Sequence, residues 1–79
     1  MGKGRQSIAL PEIRYGGRGD AVKAMQILLI GWGFPLPRWG ADGEYGAETA
    51  AALKAFQQDR GLTADGVCRP ESWQKLLGV

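Results

Sequence analysis

Three carboxylates, Asp42, Glu44 and Glu48, fall close together, near enough for two acids to share the work of cleaving a glycosidic bond. Their contexts argue otherwise. Asp42 precedes Gly43 in the pattern of a turn, and Glu48 lies where the first turn of a helix favours negative charge. A catalytic pair also needs a cleft that raises one pKa, and a chain this short has little room for one. The chain has no histidine and one cysteine, Cys68. The usual general base and the commonest metal ligand are therefore missing. So are an intrachain disulfide and a thiol-rich metal site. Cys68, with no histidine to take its proton, reads as a small buried hydrophobe. No catalytic residue, metal or cofactor is expected.

A different chemistry is available in Leu36-Pro37-Arg38-Trp39-Gly40, a stretch without periodicity. An indole exposed there can stack on a sugar face, and the Arg38 guanidinium can pair a carboxylate. Loops carry function disproportionately, although Trp39 could equally lid a small core. Tyr45 adds a phenol shortly downstream.

The elements that must position these groups come from a chain of 79 residues, 44% hydrophobic and 23% charged. That is one domain, burying about 60% of its unfolded surface. The 13 glycines mark many tight turns between short elements. Net charge is +2, too weak and too dispersed for a nucleic-acid surface. A helix-turn-helix reader is also excluded, because the third helix offers only Lys75 as a base. The N-terminus lacks the apolar centre of a signal peptide, and no apolar run is long enough to span a membrane.

Residues 1–9 carry glycine and charge without periodicity and read as a flexible arm; residues 10–79 form the domain. Leu10, Pro11, Ile13 and Tyr15 belong to an extended segment. Asp20 is the expected N-cap of a first helix, whose apolar face is Val22, Met25, Leu28, Leu29 and Trp32, stopped by Gly33. A second helix is expected from about Ala47 to Arg60, ended by Gly61, and a third opens at Pro70. Val22, Met25, Leu29, Leu53, Phe56, Leu62, Val67, Trp73 and Leu76 form the expected core. The fold class is all-α, a compact three-helix bundle with glycine-rich turns and no expected strand.

A weak internal repeat runs through it. Asp42-Gly43-Glu44-Tyr45-Gly46-Ala47-Glu48-Thr49 recurs as Asp65-Gly66-Val67-Cys68-Arg69-Pro70-Glu71-Ser72, each an Asp-Gly turn leading into a helix. Tyr45 and Val67 are read as the apolar anchors. A fainter echo pairs Met25-Gln26 with Phe56-Gln57.

With Gly19, Val22, Trp32-Gly33, Gly61-Leu62 and Ser72-Trp73, these motifs make the chain resemble the peptidoglycan-binding domain family over about residues 10–78. Met25 and Tyr45 depart conservatively from the family's Leu and Phe. Arg69 replaces a glycine, which predicts a changed turn there. The resemblance implies noncovalent binding of bacterial peptidoglycan, a covalently linked wall-lytic enzyme in a parent chain, and a place in the cell wall or outside the cell. From charge and hydropathy, no nucleic acid and no membrane partner are expected. A monomer is expected. Arg38, Trp39, Asp42, Tyr45 and Gln57 are the candidate ligand residues. For Gln26 and Gln57 the competing reading is that buried amides brace loop backbone. A second function class, docking to another protein, would use Ile27, Ile30 and Phe34 as an apolar stripe on the first helix.

Overall fold

A computed structural model describes residues 10–78; the expected N-terminal arm lies outside them. Three helices carry the regular structure: α1, Asp20–Gly31, α2, Ala47–Asp59, and α3, Pro70–Leu77. Among the described residues there is no strand. Two isolated antiparallel bridges, Ile13 with Cys68 and Arg18 with Glu44, tie the N-terminal segment to the turns ahead of α3 and α2. The all-α reading holds.

The helix boundaries follow from glycine more closely than expected. Gly19, not Asp20, caps α1, at φ 123° and ψ −170°, a region closed to residues with a Cβ. That conformation lets its N–H donate to the Gly43 carbonyl at 2.9 Å. Asp20 is instead the first helical residue and makes no capping bond; its charge sits at the positive end of the helix dipole. At the other end, Gly33 donates to Ile30 O at 3.0 Å and Phe34 to Leu29 O at 2.9 Å. α2 closes identically, with Gly61 donating to Gln58 O at 3.2 Å and Leu62 to Gln57 O at 2.8 Å. Both are Schellman closures, in which a left-handed glycine sends the next apolar residue back to the core. Phe34 arrives edge-on against Phe56, ring centroids 5.5 Å apart.

Val22, Met25, Leu29, Leu53, Phe56, Trp73 and Leu76 are buried as the periodicity predicts, joined by Ile13, Leu36, Tyr45, Ala52 and Cys68. Three core expectations need correction. Trp32 is 44% exposed: as the residue that closes α1 it leaves the helical face. Its indole N–H donates to Leu76 O at 2.7 Å, and the Arg60 guanidinium lies 4.8 Å from its ring centroid. It therefore seals the seam where the three helix ends meet. Leu62 and Val67 are only half-buried. Val67 is not the anchor of the second copy: an offset of 23 residues places Cys68 opposite Tyr45, and Cys68 is fully buried. Trp73 is held by a bond from its indole N–H to Pro11 O at 2.8 Å.

Arg69 does not change its turn. It caps α3 at φ −104°, and its counterpart Gly46 caps α2 at φ −112°. Both are ordinary extended backbone, so neither position demands glycine.

Candidate functional site

The site is built from two buried glutamines outward. Gln26 of α1 is fully buried. Its Oε1 accepts from Gly43 N at 2.7 Å. Its Nε2 donates to Thr49 Oγ1 at 2.9 Å and Glu44 O at 3.0 Å, with a longer reach of 3.2 Å to Asp42 Oδ1. Gln57 of α2 repeats the arrangement one turn later. Its Oε1 accepts from Gly66 N at 2.9 Å, and its Nε2 donates to Val67 O and Ser72 Oγ, both at 3.0 Å. Asp42 and Asp65 complete the copies, each accepting from the N–H two residues on, at 3.0 Å. Each helix thus braces the turn that starts the next, and each buried amide meets its hydrogen-bonding requirement inside the protein.

On the first brace rests the loop of residues 34–43. Leu36 is buried beneath it. Glu48, in the first turn of α2, holds its rim: one carboxylate oxygen accepts from Arg38 N at 2.8 Å and the other from Trp39 N at 3.0 Å. Trp39 is left 66% exposed, with the Arg38 guanidinium 5.7 Å from its ring centroid. Together with Asp42, Glu44 and Thr49 these residues line an open groove of about 730 Å³, a volume within the ~300–1,000 Å³ usual for small-molecule sites. Three carboxylates and one guanidinium line it, and Arg18 and Lys23 stand on the far side of Asp42 and Glu44. The Glu44 N–H bond is the chief cause that holds the Asp42 carboxyl below its ordinary range, so Asp42 is charged at neutral pH.

The structure brings three of the five ligand candidates together here: Arg38, Trp39 and Asp42. Tyr45 and Gln57 are elsewhere. Tyr45 is buried, with its hydroxyl donating to Gly66 O, and burial is the main cause that pushes its phenol up to about 12. Gln57 is committed to the second turn, so the bracing reading describes both glutamines. Tyr45 and Gln57 carry the right chemistry and point away from solvent. The clamp by Glu48 was missed, because a side chain accepting from backbone nine and ten positions earlier leaves no local pattern.

The docking stripe is also reshaped. Ile27 and Ile30 are exposed on α1, at 54% and 43%. Phe34 is not with them: α1 ends at Gly31, and the glycine closure turns Phe34 inward onto Phe56. A pair of neighbouring isoleucines remains where a three-residue stripe was expected.

A family model described as "Putative peptidoglycan binding domain" matches residues 18–76. The chain is 42% identical over 67 residues to the N-acetylmuramoyl-L-alanine amidase CwlL of Bacillus licheniformis, covering 85% of this chain and 19% of that protein. A crystal structure of a peptidoglycan-binding protein from Clostridioides difficile superposes with a TM-score of 0.79 at 40% identity, over 85% of this chain and 40% of that one. The SleB N-terminal domain superposes with a TM-score of 0.80 at 31% identity, over 90% of this chain and 94% of that one. The chain spans about a fifth of the length of the curated amidases it matches, 19% and 18%.

Proposed function

The chain belongs to the peptidoglycan-binding domain family, and from that membership we propose that it is the wall-anchoring module of a larger wall-acting protein, working in the cell wall or outside the cell. As a binding module it supplies retention and leaves chemistry to the enzyme it accompanies. The observation that carries this reading is the family match, which spans all three helices and both braced turns. The relatives support the second half of it, since an amidase of which the chain matches under a fifth has ample sequence for a catalytic domain.

The contact surface we assign is the groove at the head of α2. Trp39 offers an aromatic face to a sugar ring, Arg38 a cation to a ligand carboxylate, and Asp42 and Glu44 acceptors to hydroxyl or amide groups. One site need not bind tightly. A repetitive polymer keeps a tethered enzyme at high local concentration even when each contact is weak. The monomeric chain suffices for this.

Co-sedimentation with purified sacculi tests the proposal. Trp39→Ala should weaken retention by about 1–3 kcal/mol, as loss of an aromatic anchor does, and leave the helical circular dichroism unchanged. Normal retention of Trp39→Ala, with loss in an Ile27→Ser, Ile30→Ser double variant, would move the site to α1. Failure of the wild-type chain to sediment with sacculi would end the wall-binding reading itself.

A further inference from the structure

The repeat extends beyond the braces to the cavities they support. At the head of α3 lies a second depression, of about 250 Å³, lined by Thr63, Val67, Arg69, Glu71 and Ser72 with the edge of Gln57. Displaced by 23 residues, Glu44, Gly46, Glu48 and Thr49 of the first groove become Val67, Arg69, Glu71 and Ser72 of the second.

The floors share one chemical feature. Thr49 and Ser72 are each 3% exposed and each line their depression. Each hydroxyl oxygen accepts from a glutamine amide, Thr49 from Gln26 and Ser72 from Gln57. A hydroxyl that accepts still has its own proton to give. Among the described residues neither hydroxyl donates to a protein acceptor, and a buried donor without an acceptor is costly. The rims differ. Arg69 lies within 2.6 Å of Asp65 and 3.4 Å of Glu12, and no aromatic stands over the second site.

We propose that the depression at the head of α3 is a second ligand subsite, in which Ser72 donates to an amide carbonyl of the same wall polymer that occupies the first groove. Its volume suits one peptide unit or one acetamido group rather than a disaccharide. The inference rests on the wall-binding reading, since a repeating polymer presents amide carbonyls to two similarly built floors on one small domain. Engaging both sites on one ligand makes the second contact intramolecular and raises avidity without enlarging either site.

Amide-resolved NMR titration of the chain with a disaccharide-peptide fragment of peptidoglycan, and with the fragment twice as long, tests this. Two separate groups of shifts are expected, one within residues 38–49 and one within residues 61–72. Thr63→Phe, which fills the depression from an exposed position, should remove the second group and leave the first. Affinity for the longer fragment should then fall about tenfold or more. Ser72→Ala should weaken the second group, and Ser72→Thr should restore it. Shifts confined to residues 38–49, or shifts in 61–72 that persist in Thr63→Phe, would refute the second subsite and leave the wall-binding function standing. No shifts anywhere with either fragment would bring down both.

Discussion

The two Asp-Gly turns are the same device used for different ends. In each, a buried glutamine from the preceding helix grips the glycine N–H, a carbonyl and a helix-starting hydroxyl. Around the first turn the chain adds a loop with an exposed indole, clamped by Glu48. Around the second it adds ion pairs from Arg69 to Asp65 and Glu12. The interior of the repeat is therefore kept while its rim is free to vary. The difference teaches that the motif's shared residues hold the scaffold and form the floors, and that what sets one site apart from the other must be sought in the residues around them.

Phe56 serves both halves, touching Phe34 and Arg60 while fully buried. Phe56→Ala should cost about 3–5 kcal/mol, enough to unfold so small a domain. Loss of helical dichroism at both turns together is the expected result. Survival of one half would show that the halves fold separately.

Next in size are the braces themselves. Gln26→Leu and Gln57→Leu should each destabilise by roughly 2–4 kcal/mol, because a buried glycine N–H and its neighbours lose partners worth about 1–3 kcal/mol apiece. Urea unfolding should give values within about 1 kcal/mol of each other; a neutral effect at either site would break the equivalence of the two turns.

Alkaline pH separates the halves. Burial, the leading cause for both, pushes the Tyr45 phenol from 10.0 up to about 12 and the Cys68 thiol from 9.0 up to about 12. A folded pKa above the unfolded one gives stability that is complete below the unfolded value and is lost as pH climbs towards the folded value. Stability should thus decline first from pH 9.0, for Cys68, and again from pH 10.0, for Tyr45. The combined loss should reach about 2–3 kcal/mol by pH ~10.5. In Cys68→Ala the onset should move up to that of Tyr45, read as the urea midpoint against pH.

The smallest effects distinguish glycines that are needed from those that are not. Gly43 and Gly66 stand at φ 80° and 75°, so alanine at either should cost about 1–2 kcal/mol. Gly66 should be the worse, since an added Cβ would lie 3.1 Å from Lys54 Cε and from Tyr45 Oη. Gly46→Ala should stay within about 0.5 kcal/mol of wild type in thermal melts. An added Cβ there meets nothing within 4 Å, and the entropy gained offsets the poorer cap.

What the sequence made legible follows the reach of local rules. The three helices were readable because apolar periodicity and left-handed glycines both act within a few residues, and the grouping of Arg38, Trp39 and Asp42 along one groove because the three lie close together in one loop. Trp32 was misread because periodicity stops applying at the residue that closes the helix. Ile13 and Leu36 were hidden in segments with no period. Tyr45 and Gln57 show a further boundary: residue type announces the chemistry a side chain can do, and only the tertiary fold says whether it faces solvent or Gly66.

The N-terminal segment gives the domain a mechanical property. Its attachments lie in series: the Trp73 indole on Pro11, the paired bonds between Ile13 and Cys68 at 3.0 and 2.7 Å, then Gly16 N to Tyr45 O at 3.0 Å and Tyr45 N to Gly17 O at 2.9 Å. Tension applied at Pro11 is therefore borne first by α3 and the second turn, and reaches the first turn only after the Ile13 pair has parted. A load from that side would strip the segment stepwise from α3 while Gln26, Glu48 and the Trp39 loop keep their geometry, so that the groove at the head of α2 yields last.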